Sequence, residues 1–478
     1  MKLCGSYEQD LKIMDNMLAG DMTVKKRRFG PAGRPDCCCI YFSDGLSSSQ
    51  LISQGIIGPV VRGGALPKKG VLDHLKSSVL ELPEVEWKDE TDEIMPALAY
   101  GDLLLFADGQ AGCLVIGSKS FSFRGISEPD DEKVAKGPKE GFVEPLMINV
   151  SMLKRRLRTR SLKLEMTQVG DKSGTSCCIC YIEDCVDKSV LERVRQGISS
   201  IKVDGIFDSS YISEMLDPHP FSIFRRSGKT ARPDVAAAKL LEGRVVVLVD
   251  GTPQAMTVPF IFLEHFQSPE DYYVSYHHAA FSRILRLVGF FIAITLVPVY
   301  IAVLNYHPGS LSTKMIMNIA LAQDSTPFSA TTEAVILLLS FDLLREAGLR
   351  TPASIGQTLS IVGALVLGQS AVEANIASPS MVIAVALSGV TGLIINDLKN
   401  QIIILRLFLL AFANYAGLWG YVMGLSLIIG RLGVIKSYGV DYLSSMPFAA
   451  QGSHEDSLFR VPFPFMKRRG RFISRERK

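Results

Sequence analysis

Apolar and polar residues are distributed differently in two parts of the chain. Up to about residue 284, the apolar residues come in short runs between charged and polar ones, a pattern typical of a soluble α/β protein. Beyond that point the apolar runs approach the ~20 residues that a helix needs to cross a bilayer. The pattern predicts a soluble N-terminal part followed by a helical membrane domain.

The soluble part contains two similar stretches about 140 residues apart. CCCIYFSDGLSSSQLISQGI begins at Cys37, and CCICYIEDCVDKSVLERVRQGI begins at Cys177. A second pair, from Gly101 and Gly243, has nearly the same offset, and each member reads as two strands joined at an Asp-Gly turn. Two matches at one offset predict two similar cytosolic α/β subdomains, residues 1–145 and 146–280.

We interpret four apolar runs of the membrane part, residues 287–306, 355–376, 381–395 and 402–435, as full spans. As one helix the last run would be about 50 Å long, so we expect it to be kinked or split at Gly417, Gly420 or Gly424. A shorter apolar piece, 334–344, has charged residues at and beside it and predicts an amphipathic interfacial or re-entrant helix.

The basic C-terminal tail fixes the expected topology. Seven of the residues from 467 to 478 are Lys or Arg, which by the positive-inside rule favours a cytoplasmic tail. Since the soluble part is expected on the same side, the number of crossings is even, either four or six. The predicted fold is a cytosolic α/β module followed by an all-α polytopic membrane domain at 281–436 and a cytoplasmic tail at 437–478.

Polar side chains make the run 355–376 a candidate pore helix, because polar groups in lipid are costly and mark functional sites. Gln369 and Glu373 lie one turn apart on a face shared with apolar residues that would form a gate. The candidate pore-lining residues are Glu373, Gln369, Val366, Val362, Gln357 and Thr358. The alternative is that the polar residues only form hydrogen bonds across a helix bundle packed through small residues.

The candidate chemistry elsewhere is weak. The cysteine clusters lie on equivalent predicted strands without metal-ligand spacing, so we interpret them as small buried apolar residues and predict no metal site. Ser227-Gly228-Lys229-Thr230 resembles the end of a phosphate-binding loop, but Ile223 occupies the position of its first glycine. The net charge of +3 does not favour nucleic acid, and we predict neither an enzyme nor a cofactor.

A series of motifs, in one order along most of the chain, carries a family resemblance. They include Glu140-Gly141-Phe142-Val143-Glu144, Arg232-Pro233-Asp234, Asp250-Gly251-Thr252-Pro253, Glu270-Asp271-Tyr272-Tyr273, Glu333-Ala334, Leu344-Arg345-Glu346-Ala347-Gly348 and Ile355-Gly356-Gln357-Thr358. Through them the chain resembles the A subunits of GerA-type spore germination receptors of endospore-forming bacteria. Asp342 and Asn375 depart from the family, which usually has Glu and Gly there.

The resemblance implies a multi-pass protein of the spore inner membrane with both termini in the cytoplasm. It implies a transporter-like B subunit and a lipoprotein C subunit as partners, and assembly of A subunits into a ring, a pentamer. That ring would be a channel that releases monovalent cations and triggers germination when a nutrient binds the partner. Two alternatives stay open: a germination signal amplifier of the same family, and a signalling scaffold that conducts no ions.

Overall fold

The computed structural model describes residues 2–3, 6–64, 66–67, 70–120, 132–351, 363, 366, 368–444, 456 and 459–465. This part of the chain forms two compact units. The soluble unit holds the described residues up to Phe260 together with Ser437–Val440, and the helical unit holds Ile261–Lys436 and the described residues from Asp441 to residue 465. Both sheets of the soluble part lie in the first unit and the long helices in the second, so an α/β region followed by a helical region is confirmed.

The first sheet consists of five antiparallel strands. They are β1 (Val24–Phe29), β2 (Cys38–Ser43), β3 (Val85–Lys88), β4 (Leu103–Ala107) and β5 (Cys113–Ile116), side by side in the order β1-β2-β4-β5-β3. The helices around it are α1 (Tyr7–Leu18), α2 (Gly58–Arg62), α3 (Val71–His74) and α4 (Thr91–Ala99), with wider π-helical turns at Leu51–Ile57 and Leu75–Val79. Every residue of β4 and β5 is buried, which explains their uninterrupted apolar sequence.

The second sheet repeats this arrangement. Its strands are β6 (Leu162–Val169), β7 (Thr175–Ile182), β8 (Gly228–Thr230), β9 (Val245–Val249) and β10 (Ala255–Val258), in the order β6-β7-β9-β10-β8. Its helices are α5 (Leu146–Arg156), α6 (Lys188–Ser200), α7 (Ser209–Met215) and α8 (Pro233–Leu241). The strand order relative to the chain is the same in both sheets, as expected for a structural repeat.

The cysteines of both repeats are buried. Cys38 and Cys39 on β2, and Cys177 and Cys178 on β7, are fully inaccessible, and all are free thiols. Burial raises the pKa of Cys39 to about 11 and that of Cys177 to about 12. The thiols of Cys39 and Cys177 are therefore neutral at physiological pH, and all four buried cysteines pack as small apolar groups.

A buried lysine joins the two repeats. Lys154 of α5 places its Nζ 2.9 Å from Asp21 Oδ2, 2.5 Å from Thr23 Oγ1 and 2.7 Å from Ser43 Oγ. The lysine is only 3% exposed, and a buried ammonium group is tolerated because all three of its donors are used. The contact fixes the second repeat against the start of the first sheet.

The helical unit contains α9 (Tyr276–Tyr306), α10 (Thr313–Asp324), α11 (Ala330–Arg350), α12 (Pro379–Leu393) and α13 (Lys399–Val434). Among the described residues, two helices, α9 and α13, are long and apolar enough to cross a membrane. The four predicted full spans are thereby corrected to two within this part of the chain. The apolar helix α12 has 15 residues, and half of the predicted span 355–376 lies outside the described residues.

The long helix α13 reverses direction at Gly417, whose φ is 59°. A side chain at Gly420 would meet the carbonyl of Phe412, and one at Gly424 would meet the side chain of Leu409. Residues so far apart in sequence lie more than ~10 Å apart in a straight helix. The long apolar run is therefore split into two antiparallel halves, which confirms the predicted break at a glycine.

α11 is longer than the sequence pattern predicted. It covers 21 residues instead of the predicted apolar piece 334–344, and it packs lengthwise against α12. Near its start Thr331 is hydrogen-bonded to Asn414, and further along Asp342 contacts Arg406, so α11 runs antiparallel to the first half of α13. The predicted piece is therefore the middle of a longer helix that packs within the unit through charged residues such as Asp342, and its interfacial or re-entrant placement stays a prediction.

Candidate functional site in the helical unit

The predicted pore helix is described only towards its C-terminal end. Val362, Gln357 and Thr358 lie outside the described residues. Val366 is helical and 52% exposed. The structure thus places one of the two valines of the predicted gate on the surface of the single chain.

Gln369 and Glu373 lie one turn apart on helical residues 368–373, and both are exposed. The helix ends at Glu373, and the chain turns at residues 374–375, where Asn375 has a φ of 54°. Asn adopts this left-handed conformation more readily than most residues, so it serves where the family usually has Gly. Glu373 therefore lies at the end of the helix, whereas the sequence analysis treated the whole run 355–376 as one span.

Glu333 of α11 is buried at the N-terminal end of α12. Its Oε1 accepts hydrogen bonds from the amide of Ser378, at 2.6 Å, and from the hydroxyl of Ser378, at 2.8 Å. A carboxylate in this place also faces the positive end of the helix dipole. Two residues further along the chain, Ser380 accepts a hydrogen bond from the hydroxyl of Tyr300 on α9, at 2.9 Å. The motif residue Glu333 thus ties α11 to α12.

A second buried contact joins α11 to α13. Arg406, whose side chain is 2% exposed, places Nη2 2.8 Å from Asp342 Oδ2 and Nη1 3.3 Å from the hydroxyl of Ser388 on α12. Arg345 lies one turn along α11, 3.7 Å from the other oxygen of Asp342. Charges buried in apolar surroundings are stable only when paired, so these residues form a polar connection between three helices.

Arg406 was not among the functional residues predicted from the sequence. A signal was present, since it is the one charged residue between Lys399 and Arg431 in the apolar run. A lone charge in such a run indicates a buried partner on another helix. Glu346, beside Arg345 in the family motif, differs: it is exposed and pairs with Arg350 on the same helix.

A third cluster surrounds the start of α9. Asp271 is 2% exposed and accepts hydrogen bonds from Arg283 and Arg286 at 2.8–3.0 Å. Arg283 also reaches Asp456, at 2.7 Å, and Arg460 donates to the carbonyl of Asp271, at 2.8 Å. Burial opposes ionisation of Asp271, but hydrogen bonds and the two arginine charges outweigh it and lower the pKa of this carboxyl. The cluster anchors residues of the C-terminal segment to the base of α9.

Arg232 and Asp234 hold the segment that leads into the second repeat. Arg232 is fully buried, and its Nη2 donates to the carbonyl of Pro138 and to Asp234, both at 2.8 Å. The amide of Phe142 donates to the carbonyl of Ala231 nearby. These family-motif residues therefore have a structural task in the soluble unit.

Asp250 and Gly251 hold the same segment from the turn between β9 and β10. Asp250 Oδ1 accepts a hydrogen bond from the amide of Leu146, at 2.9 Å. The amide of Gly251 donates to the carbonyl of Glu144, also at 2.9 Å. The separate motifs of the soluble part thus meet around residues 138–146, the connecting segment between the two repeats. The sequence alone did not reveal this.

Comparison with known proteins agrees with this pattern of motifs. The model of the Bacillus/Clostridium GerA spore germination protein family matches residues 11–472. The chain is 34% identical to Spore germination protein KA of Bacillus subtilis (strain 168), over 96% of this chain and 85% of the relative. It is 36% identical to Uncharacterized membrane protein YfkQ of the same organism, over 98% of this chain and 92% of the relative.

A solved structure is also similar. The N-terminal domain of the A subunit of the Bacillus megaterium spore germinant receptor GerK3 matches with 23% identity and a TM-score of 0.44, covering 55% of this chain and 98% of that domain. The family model spans nearly the whole chain, including the motifs that place Glu333, Asp271 and Arg232. On that match and on the relatives above, the chain belongs to the GerA spore germination protein family.

Proposed function

We propose that this chain is the membrane subunit of a nutrient germinant receptor and that several copies form a gated channel for monovalent cations that triggers germination. One observation carries the proposal: Gln369 and Glu373 are exposed one turn apart on a helix whose sequence is otherwise mostly apolar. A carboxylate that faces lipid is costly, so this face needs water or another protein chain. A ring of copies around a water-filled axis supplies both.

In this arrangement Glu373 forms a ring of carboxylates near one mouth of the pore and selects cations. Val366 lies seven residues earlier on the same helix, about 10 Å along its axis, where it contributes to a hydrophobic constriction. We take the ring to be a pentamer in the spore inner membrane, with both termini in the cytoplasm and an even number of crossings. Its partners are a transporter-like B subunit and a lipoprotein C subunit, and it acts without catalysing a reaction.

The test uses the full chain reconstituted in liposomes, with potassium and chloride fluxes measured separately. Glu373→Gln lowers the potassium-over-chloride selectivity by about threefold or more, because the carboxylate ring is neutralised. Val366→Ala raises the basal potassium flux, because the constriction widens. Asp324→Asn is the matched control: it removes an exposed carboxylate at the end of α10 and leaves both fluxes unchanged.

Two outcomes would contradict the channel. If particle images show an assembled ring that conducts no ions, the chain is a scaffold that passes the signal to another channel. If the parent conducts and both variants match it, this helix does not line the path. Co-purification with the B and C subunits separates a receptor subunit from an amplifier of the same family.

A further inference from the structure

The chain leaves the soluble unit after Phe260 and returns to it for four residues, Ser437–Val440. These residues are the tip of a small hairpin whose strands are β11 (Lys436–Ser437) and β12 (Val440–Asp441). Only two residues separate the tip from Val434, the last residue of α13. Neither the pore nor the polar network of the helical unit accounts for this return.

Ser437 holds the tip in the soluble unit. Its side chain is fully buried, donates a hydrogen bond to the carbonyl of Arg226, at 2.6 Å, and accepts one from the amide of Phe260, at 2.9 Å. Phe260 is also the residue after which the chain leaves this unit. One hydroxyl group therefore joins the exit and the return of the chain.

The turn of the hairpin has an unusual backbone. Tyr438 and Gly439 both adopt positive φ, 49° and 93°. A left-handed conformation is unfavourable for a bulky residue such as Tyr and persists only where the surroundings hold it. Arg193 of α6 donates a hydrogen bond to the carbonyl of Tyr438, and a side chain at position 439 would collide with that guanidinium group.

The seated tip leaves polar groups unsatisfied. The ring of Tyr438 packs against the apolar cluster beside the second sheet, but its hydroxyl has no hydrogen-bond partner among the described residues. Two nitrogens of Arg226, which is 3% exposed, also lack partners within this part of the chain. We call the tip seated when residues 437–440 are packed in the soluble unit as described above. Unsatisfied buried groups and backbone strain both oppose this seated state, so the free energy that favours it over release is small.

The base of the hairpin is held equally firmly within the helical unit. Tyr442 is fully buried; its amide donates to the carbonyl of Ile435, at 3.0 Å, and its carbonyl accepts from the amide of Phe262, at 3.0 Å. The hydroxyl of Tyr442 is hydrogen-bonded to His265, which in turn contacts Asp397 just before α13. Only residues 435 and 436 connect the end of α13 to the tip, and so short a stretch cannot extend. A displacement of the tip is therefore passed on to the end of α13.

From these contacts we propose that the hairpin tip, residues 437–440, is a releasable coupling that transmits changes in the soluble unit to the second half of α13. Its role in gating rests on the proposed channel, whereas its role as a mechanical coupling does not. The strained backbone of Tyr438 destabilises the packed tip and so favours release, whereas the two hydrogen bonds of the Ser437 hydroxyl stabilise the packed tip. The soluble unit then controls the last helix directly, without passing through the segment that precedes α9.

Hydrogen exchange of the full chain in detergent, measured by mass spectrometry, tests the coupling. Ser437→Ala removes both hydrogen bonds of the tip, and Tyr438→Asn removes the ring while keeping a residue that accepts the left-handed backbone. Each raises exchange in residues 428–434 about tenfold, because the loss of the Ser437 hydrogen bonds or of the packed Tyr438 ring weakens the attachment of the tip to the soluble unit. Lys436→Ala, which breaks only the exposed pair with Asp441, is the control and changes nothing.

Potassium flux from liposomes separates this inference from the channel itself. In a conducting protein both tip variants change the basal flux about fivefold or more while the single-channel conductance stays constant. If the parent conducts no ions but exchange rises in 428–434, the channel is wrong and the coupling stands. If the parent conducts and both variants leave flux and exchange in 428–434 unchanged, the coupling is wrong, even where exchange rises around Arg226.

Discussion

The two repeats of the soluble unit share a sheet but differ in what surrounds it. Both sheets have five antiparallel strands in the same order, and both place an Asp-Gly turn after a fully buried strand. In the first repeat that aspartate, Asp108, pairs with Arg34 on the half-exposed surface. In the second, Asp250 holds the amide of Leu146. The same turn therefore makes a half-exposed ion pair in the first repeat and holds the start of α5 in the second.

The helices show the same contrast. Asp187 caps α6 through the amide of Ser189, and Asp208 caps α7 through the amide of Ser210. The first repeat instead has π-helical turns at Leu51–Ile57 and Leu75–Val79. Regular, capped helices give the second repeat firm positions for contacts such as that of Arg193 with the hairpin tip. The comparison indicates that the second repeat makes the contacts that hold other segments of the chain, such as the hairpin tip, whereas the Asp-Gly turn of the first repeat contacts the surface of its own repeat.

The largest expected difference between the repeats is at the residue before the last helix of each. Arg232→Ala removes a buried guanidinium group that binds Asp234 and the carbonyl of Pro138, and lowers the local free energy of unfolding by about 3–5 kcal/mol. Glu90 precedes α4 at the equivalent place and makes only a surface pair with Lys2, at 3.6 Å. Glu90→Ala costs less than about 1 kcal/mol.

Hydrogen exchange in β8 and β9 of the full chain measures the first change, and exchange in β4 and β5 measures the second. Equal effects at Arg232 and Glu90 would mean that the two repeats contribute alike to the unit. Arg232→Lys provides a conservative control, because it keeps the charge but not the planar group that reaches two acceptors.

A smaller difference is expected at the Asp-Gly turns. Asp250→Ala leaves the amide of Leu146 without its acceptor and costs about 1–3 kcal/mol. Asp108→Ala removes only a half-exposed ion pair and costs about 0–1 kcal/mol. Exchange at the start of α5 reports the first effect, and a variant at Asp250 that left this exchange unchanged would show that the connecting segment is held by other contacts.

The smallest difference concerns acid pH. Burial of Glu165 opposes its ionisation, but hydrogen bonds from Arg195 and Tyr181 outweigh it and lower the pKa of this carboxyl below its ordinary value of 4.5. A lowered folded pKa means that the pair stabilises β6 above about pH 4.5, and that this contribution is lost as the pH falls through the folded value. The pair is partly exposed, so the effect is modest.

Exchange in β6 measured between pH 6 and pH 3 tests this, after correction for the intrinsic rate. Glu165→Gln removes most of the pH dependence at β6. The matching pair of the first repeat, Arg28 with Glu8 on α1, is more exposed, and Glu8→Gln is the comparison variant. A β6 that weakens on acidification in the Glu165→Gln variant as in the parent would assign the pH dependence to another group.

Much of the soluble fold was predictable because its signals are local. The cysteine-rich strands, the Asp-Gly turns and their common offset are visible in the sequence itself. In the helical unit a break at Gly417, Gly420 or Gly424 was likewise predicted, and the structure places it at Gly417, where a residue without Cβ permits the positive φ. The extent of α11 was not predictable in this way. From the sequence, Glu333 and Asp342 are typical of a polar, exposed helix face. In the structure they are paired with Ser378 and Arg406 of other segments, so this face is packed.

The functional residues show the same distinction between local signals and distant partners. Gln369 and Glu373 were recognised because polar residues one turn apart in an apolar run are visible without a structure. The role of Ser437 and Tyr438 could not be predicted, because the partners of Ser437 (Arg226 and Phe260) and that of Tyr438 (Arg193) all lie more than 170 residues away in sequence. Neither residue forms a motif by type or spacing.

By itself the sequence determined the order of an α/β part and a helical part, the repeat within the first, and membership of the GerA spore germination protein family, since periodicity and motifs depend on neighbouring residues. The tertiary structure alone decided which charges are paired, that α11 is a packed helix, and that four residues after α13 return to the soluble unit. The physical reason is that a buried charge or a strained turn is stable only through distant partners, and the spacing of residues along a chain does not encode which distant groups will meet.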